Sequence, residues 1–240
     1  MSAPSEEFKL PQFFTTLSVD AMFFRAATEH YERAREWQPT VSAALDTAQS
    51  LHDRAYAIPD TSENFHELVS LGNQLHDREC ELAAAHAPVL AALGSVHILA
   101  ASATEAHINQ RAKSALTGKL WDNFERMSVE AKWLFYPRLI GYRSFDPGAK
   151  PYQQLCRLFG RRNALIHYKP RREPWKDFGV PSFLSTLGLT LDASLESLAA
   201  VQGAISEMSR ILGEDPPQWL YKPTMGGFFD FDIESDEPDA

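Results

Sequence analysis

Cysteine is nearly missing from this chain: Cys80 and Cys156 lie far apart and form neither a CxxC pair nor a Cys/His group at metal-ligand spacing. That removes a disulfide framework and a zinc knuckle as sources of stability, and makes a reducing cytoplasm the expected compartment. Glycine is modest and Val/Ile/Thr runs are scarce, while Ala, Leu and Glu dominate, so an all-α chain is expected. HExxH, Walker and dinucleotide glycine patterns are absent, as is any internal repeat, and neither a metal nor a cofactor is expected. No signal peptide is visible, because Ser5-Glu6-Glu7 interrupts the start before any apolar run. The most apolar segment, around 88–108, carries His97, Glu105 and His107 and reads as a core helix, not a membrane span. With 240 residues the chain can bury a sizeable core unaided.

What is present begins with an uneven charge distribution. The formal net charge is −9, but Asp230, Asp232, Glu234, Asp236, Glu237 and Asp239 crowd the last eleven residues, and without those six the body stands at −3. Between 157 and 177 the sign reverses. There Arg157, Arg161, Arg162, Lys169, Arg171, Arg172 and Lys176 face only Glu173 and Asp177, a local +5. Such a patch, more than overall acidity, decides whether a nucleic acid is a plausible partner.

Hydrophobic periodicity divides the chain into a poorly ordered start at 1–17, one helical domain at 18–213 whose motif-bearing core is 88–213, and a mostly disordered acidic tail at 214–240. Ser18 is placed to cap a helix to about Trp37, and a second helix spans roughly 41–57. Asp60 and Glu63 suggest a capping box for a helix running towards Ala87, and Pro88 either opens a new helix or kinks the old one. Short helices follow at 119–127 and 129–138, then one from about Tyr152 to Tyr168, and 169–182 reads as an exposed connector. The clearest segment steps through Leu191, Leu195, Leu198, Val201, Ile205, Met208 and Leu212 before Gly213 ends it.

Chemistry concentrates in Leu158–Tyr168. On a helix, Leu155, Leu158, Phe159, Leu165 and Ile166 share one face with Arg162 at its centre, while Asn163 and His167, four apart, share its edge. Glu105 falls in the middle of the apolar stripe Leu90, Gly94, Ile98, Ala101, Ile108 and Ala112. Two readings stay open. Glu105 and Arg162 form a buried ion pair that fixes two helices, since an unpaired buried charge costs several kcal/mol; or Arg, Asn and His line a cleft for a phosphate-bearing ligand. Arg161, Lys169, Arg171, Arg172 and Lys176, with Tyr168 and Trp175 among them, are candidate RNA contacts by charge and stacking, or else a solvated connector.

Arg162-Asn163-Ala164-Leu165-Ile166-His167 resembles the Arg-x(4–6)-His motif of the HEPN superfamily in its Arg-Asn-x-x-x-His form. Ala103-Thr104-Glu105-Ala106-His107-Ile108-Asn109 is similar to a Glu-x-x-x-Asn segment of bacterial HEPN-like proteins, and Glu130-Ala131-Lys132-Trp133-Leu134 with Pro137-Arg138-Leu139 also resembles that group. The resemblance covers about 95–170. It implies an up-and-down helical bundle with extra N-terminal helices, homodimerisation, and metal-independent endoribonuclease activity in a toxin-antitoxin, phage-defence or RNA-processing setting. It further implies catalytic roles for Arg162, His167 and Asn163, supporting roles for Glu105 and Asn109, and RNA, a second copy and a cognate antitoxin or other protein as partners, with no membrane. The other outcome is a non-catalytic helical protein binding nucleotide, RNA or protein.

Overall fold

The computed structural model describes residues 13–169, 182–222 and 229–233. Among these the chain is predominantly helical: α1 (Val19–Ala57), α2 (Phe65–Ala115), α3 (Gly118–Glu125), α4 (Val129–Leu139), α5 (Lys150–Ile166), α6 (Ser182–Thr186) and α7 (Leu191–Leu212), with one 3₁₀ turn at Gln218–Leu220. Two short strands, β1 (Phe13–Leu17) and β2 (Phe229–Ile233), pair antiparallel with Phe13 opposite Ile233 and Leu17 opposite Phe229. This differs from the disorder expected at both ends. A five-residue strand whose partner lies across the whole chain leaves little local signature.

Helices α1 and α2 form a long antiparallel hairpin, where three or four separate segments were expected. Pro39 and Pro88 both lie inside continuous helix. A mid-helix proline costs about 3 kcal/mol through a lost bond and a clash, but Ala34 and Val41 flank Pro39 and are buried against Leu82, Val89, Ala92 and Leu93. Packing on both sides of the break holds the axis.

Helix α7 rests on the hairpin and on α5. Its start is capped by Thr190, whose side chain accepts from the Ala193 N–H, and Gly213 ends it in the left-handed region at φ 73°. The expected stripe is confirmed at Leu198, Val201, Ile205, Met208 and Leu212, all buried, whereas Leu195 is 51% exposed. Around α7 the main core gathers Phe24 from α1, Val96, Ala100 and Ile108 from α2, Phe124 from α3, Trp133 from α4, and Leu155 and Leu158 from α5.

Residues 214–222 belong to this body and not to a tail. Leu220 is fully buried, Trp219 packs on Phe24 with ring centroids 5.8 Å apart, and Glu214 pairs with Arg111 at 2.6 Å. The pattern-based reading missed this because two prolines and two acids precede a single aromatic anchor. On length and composition α2 could cross a membrane, yet His97 and His107 within it are committed to partners on other elements of this chain. Phe24→Ala removes a ring 2% exposed and its Trp219 contact. It should cost about 3–5 kcal/mol, measured as a shift in the urea unfolding midpoint at unchanged slope.

Candidate functional site

Helix α5 begins with Pro151 in its first turn and ends with His167, whose N–H bonds the Asn163 carbonyl at 2.9 Å. Its first three turns supply Leu155, Leu158 and Phe159 to the core. Its last turn leaves the core: Leu165 is half-buried and Ile166 is 49% exposed. Asn163, His167, Tyr168 and Lys169 face solvent, and Arg162 is partly covered. The expected apolar face therefore stops about one turn early.

The buried Glu105–Arg162 pair is not formed. Arg162 Nη1 donates instead to Asn163 Oδ1 at 3.0 Å, and Glu105 lies half-exposed on α2 with no ion pair among the described residues. The error traces to the azimuth of α2. Its alanine-rich sequence supports several apolar faces: of the expected stripe Ala101, Ile108 and Ala112 are buried and Ile98 is exposed, and the buried face is shifted to take in Val89, Leu93, Val96, Ala100, Ala103 and His107. Glu105 is thereby moved from the centre of the stripe to its margin, where water solvates its charge.

The structural arginine is Arg161. Its Nη1 donates to the Ala193 carbonyl at 2.8 Å and approaches Ser197 Oγ at 3.4 Å, while Nη2 meets Glu196 Oε2 at 2.5 Å. That contact depresses the Glu196 carboxyl below its ordinary value through the Arg161 hydrogen bond and charge. Its aliphatic part passes over Gly188, where an added Cβ would lie 3.2 Å from Arg161 Cδ and Nε and where φ is 72°. Both the approach and the backbone angle require glycine there.

Beneath Arg161 lies a fully buried imidazole. His97 Nε2 is 2.7 Å from the Gly188 carbonyl and Nδ1 is 2.8 Å from Ser197 Oγ. A carbonyl only accepts, so Nε2 carries the hydrogen. Burial pushes the imidazole pKa down, Arg161 adds to that, and the Gly188 bond opposes it. The neutral ring then takes the Ser197 hydroxyl hydrogen at Nδ1. The Ala193 carbonyl, also within reach of Ser197 at 3.0 Å, is left to Arg161.

Asn109, expected to support the site, accepts from the buried Lys132 Nζ at 2.9 Å and joins α2 to α4. The Glu130–Leu134 stretch thus contributes a core lysine and Trp133 to packing. Arg171, Arg172, Trp175 and Lys176 lie outside the described residues. The expected RNA contacts therefore divide: Lys169 is exposed, and Arg161 is held by α7.

A second polar line went unrecognised in the sequence. Asp20 Oδ1 accepts from Ser18 Oγ and the Ala21 N–H at 2.8 and 2.9 Å, and His107 Nδ1 donates to Asp20 Oδ2 at 2.8 Å. Arg111 Nε donates to His107 Nε2 at 3.2 Å and reaches Glu214 through Nη2. Burial alone would raise the Asp20 carboxyl, but the His107, Ser18 and Ala21 bonds hold it below its ordinary value. A shallow cleft of about 420 Å³ opens over this line, with Trp219 on one wall. Its partners are 87 residues apart in sequence, so only the presence of histidines inside an apolar helix hinted at it. Among the described residues no group of three or more His, Cys, Asp or Glu could hold a metal ion.

The chain matches no family model, no curated protein and no solved structure. Fold and site define it as a predominantly helical protein with an open, basic Arg-Asn-x-x-x-His helix end.

Two measurements follow from the arginine geometry. Arg161→Ala removes bonds to three residues of α7 and should destabilise by about 1–3 kcal/mol, whereas Arg162→Ala should stay within about 0.5 kcal/mol of wild type in the same urea titration. For His97, a lowered folded pKa means its contribution is complete above the unfolded value near 6.5 and is lost as pH falls below it. The melting temperature should decline from about pH 7.5 to 5.5, and His97→Gln should flatten that decline.

Proposed function

We propose that the protein is a metal-independent endoribonuclease of HEPN type, acting as a cytoplasmic homodimer in a toxin-antitoxin or phage-defence setting. The observation that carries this reading is the freedom of Arg162. Among the described residues it bonds the neighbouring Asn163 side chain, and His167, five residues on, is exposed, while Arg161 takes the structural role. A guanidinium without a carboxylate partner among the described residues, on a helix end with Lys169, keeps its fork of donors for a phosphate.

The chemistry asks for the residues found. The RNA 2′-hydroxyl attacks the adjacent phosphorus, the 2′-O–P bond forms and the P–O5′ bond breaks. A base removes the hydroxyl proton and an acid protonates the departing 5′-oxygen. The products are a 2′,3′-cyclic phosphate and a 5′-hydroxyl, and only RNA carries the internal nucleophile. His167 serves as acid or base, Arg162 neutralises charge building on the phosphorane, and Asn163 orients Arg162 through the bond already present. With one such histidine per chain, a two-fold pairing of α5 ends supplies the second, and the two His167 side chains divide the roles.

Purified protein in excess chelator should cleave members of a broad RNA panel and leave 2′,3′-cyclic ends. His167→Ala should slow cleavage about 10²–10⁴-fold with an unchanged melting temperature, because the ring is exposed. Absence of cleavage by wild type across the panel would favour a non-catalytic protein that binds nucleotide, RNA or a protein partner through the same helix end.

A further inference from the structure

Among the described residues, the α1–α2 hairpin meets Leu189 and Leu191 at the cluster of Val41, Leu45 and Leu82, and about twelve further residues of α1 continue some 18 Å past Leu45 at 1.5 Å per residue. Among residues 46–81, only Ala48 and Leu71 are fully buried. Folding therefore gives no reason for large apolar side chains at the far end. Yet Tyr56 is 86% exposed, Phe65 58% and Val69 47%, and with Ile58 and Leu68 they line an open cleft of about 530 Å³.

The charge around this cleft selects its occupant. From 46 to 81 there are eight carboxylates against Arg54 and Arg78, a formal −6 on the two helices and the connection between them. That field repels RNA and anionic lipid, and it repels the same arm of a second copy. What remains complementary is a cationic surface with an apolar stripe. A helix with leucines or aromatics at spacings of three and four would seat them against Phe65, Leu68 and Val69, and its lysines or arginines would meet the flanking acids. We propose that the hairpin end is a docking arm for a protein partner that presents a basic amphipathic helix.

The probe is a labelled amphipathic helical peptide of leucine and lysine, with the same peptide carrying glutamate for each lysine as its counterpart. Fluorescence anisotropy should show the lysine peptide binding full-length protein, and the glutamate peptide failing to bind. Tyr56→Ser/Phe65→Ser/Val69→Ser should weaken binding at least about 10-fold, with circular dichroism and melting temperature preserved because all three side chains are exposed. Equal binding by the triple variant, or by the glutamate peptide, would overturn the proposal. So would sedimentation showing self-association of wild type that the triple variant loses, which would make the occupant a second copy.

Discussion

The imidazole of His97 is carried by α2 into the interior, where it is fully buried, and its two nitrogens must be satisfied by the elements packed around it. One nitrogen requires the Gly188 carbonyl and the other Ser197, so the turn before α7 and the first turns of α7 must lie against the middle of α2. An unsatisfied buried polar atom costs about 1–3 kcal/mol, a large part of the margin by which a domain is stable. Arg161 then ties α5 to the same place through Ala193, Ser197 and Glu196. Four elements meet on one buried ring.

That junction sets the direction of the neighbouring residues. Successive side chains on an α-helix are turned by about 100°, so when Arg161 points into α7, Arg162 is carried round towards the margin and Asn163 to solvent. Two adjacent arginines thus have separate surroundings, Arg161 bound to α7 and Arg162 bonded to Asn163 at the exposed helix end. The node that stabilises the fold also prevents α5 from rotating about its axis. The placement of Arg162 and His167 at the helix end is a consequence of the core and not of contacts of their own.

The sequence made some of this legible and hid the rest for identifiable reasons. Helix α7 was plain because bulky residues recur at three and four between Thr190 and Gly213. Helix α2 was found and part of its stripe with it, since Ala101, Ile108 and Ala112 are buried, but Ile98 is exposed and alanine fits either face, and placing Glu105 at the centre of the stripe produced the Glu105–Arg162 pairing that the structure lacks. The helix end expected near Trp37 is overridden by the packing of Ala34 and Val41 against Leu82 and Val89. The histidine partners could not be read at all: Gly188 and Ser197 lie 91 and 100 residues from His97, and nothing local distinguishes a satisfied buried histidine from a ligand. The Arg-Asn-x-x-x-His cluster was visible as residue types; which arginine is free required the geometry.

Charge gives the molecule two differently disposed ends, an acidic apolar-tipped hairpin and a basic α5 terminus, joined by the core around α7. The most direct test of this arrangement is a nitrogen-15 NMR titration of the histidine side chains, with and without an RNA strand made uncleavable by 2′-O-methylation. His97 should keep the signature of a neutral, Nε2-protonated ring to pH values below the ordinary imidazole range and ignore the RNA, while the resonances of His167 move on its addition. Protonation of His97 in step with the exposed histidines, or a His167 signal untouched by saturating RNA, would contradict the separation of a structural and a chemical end on α5.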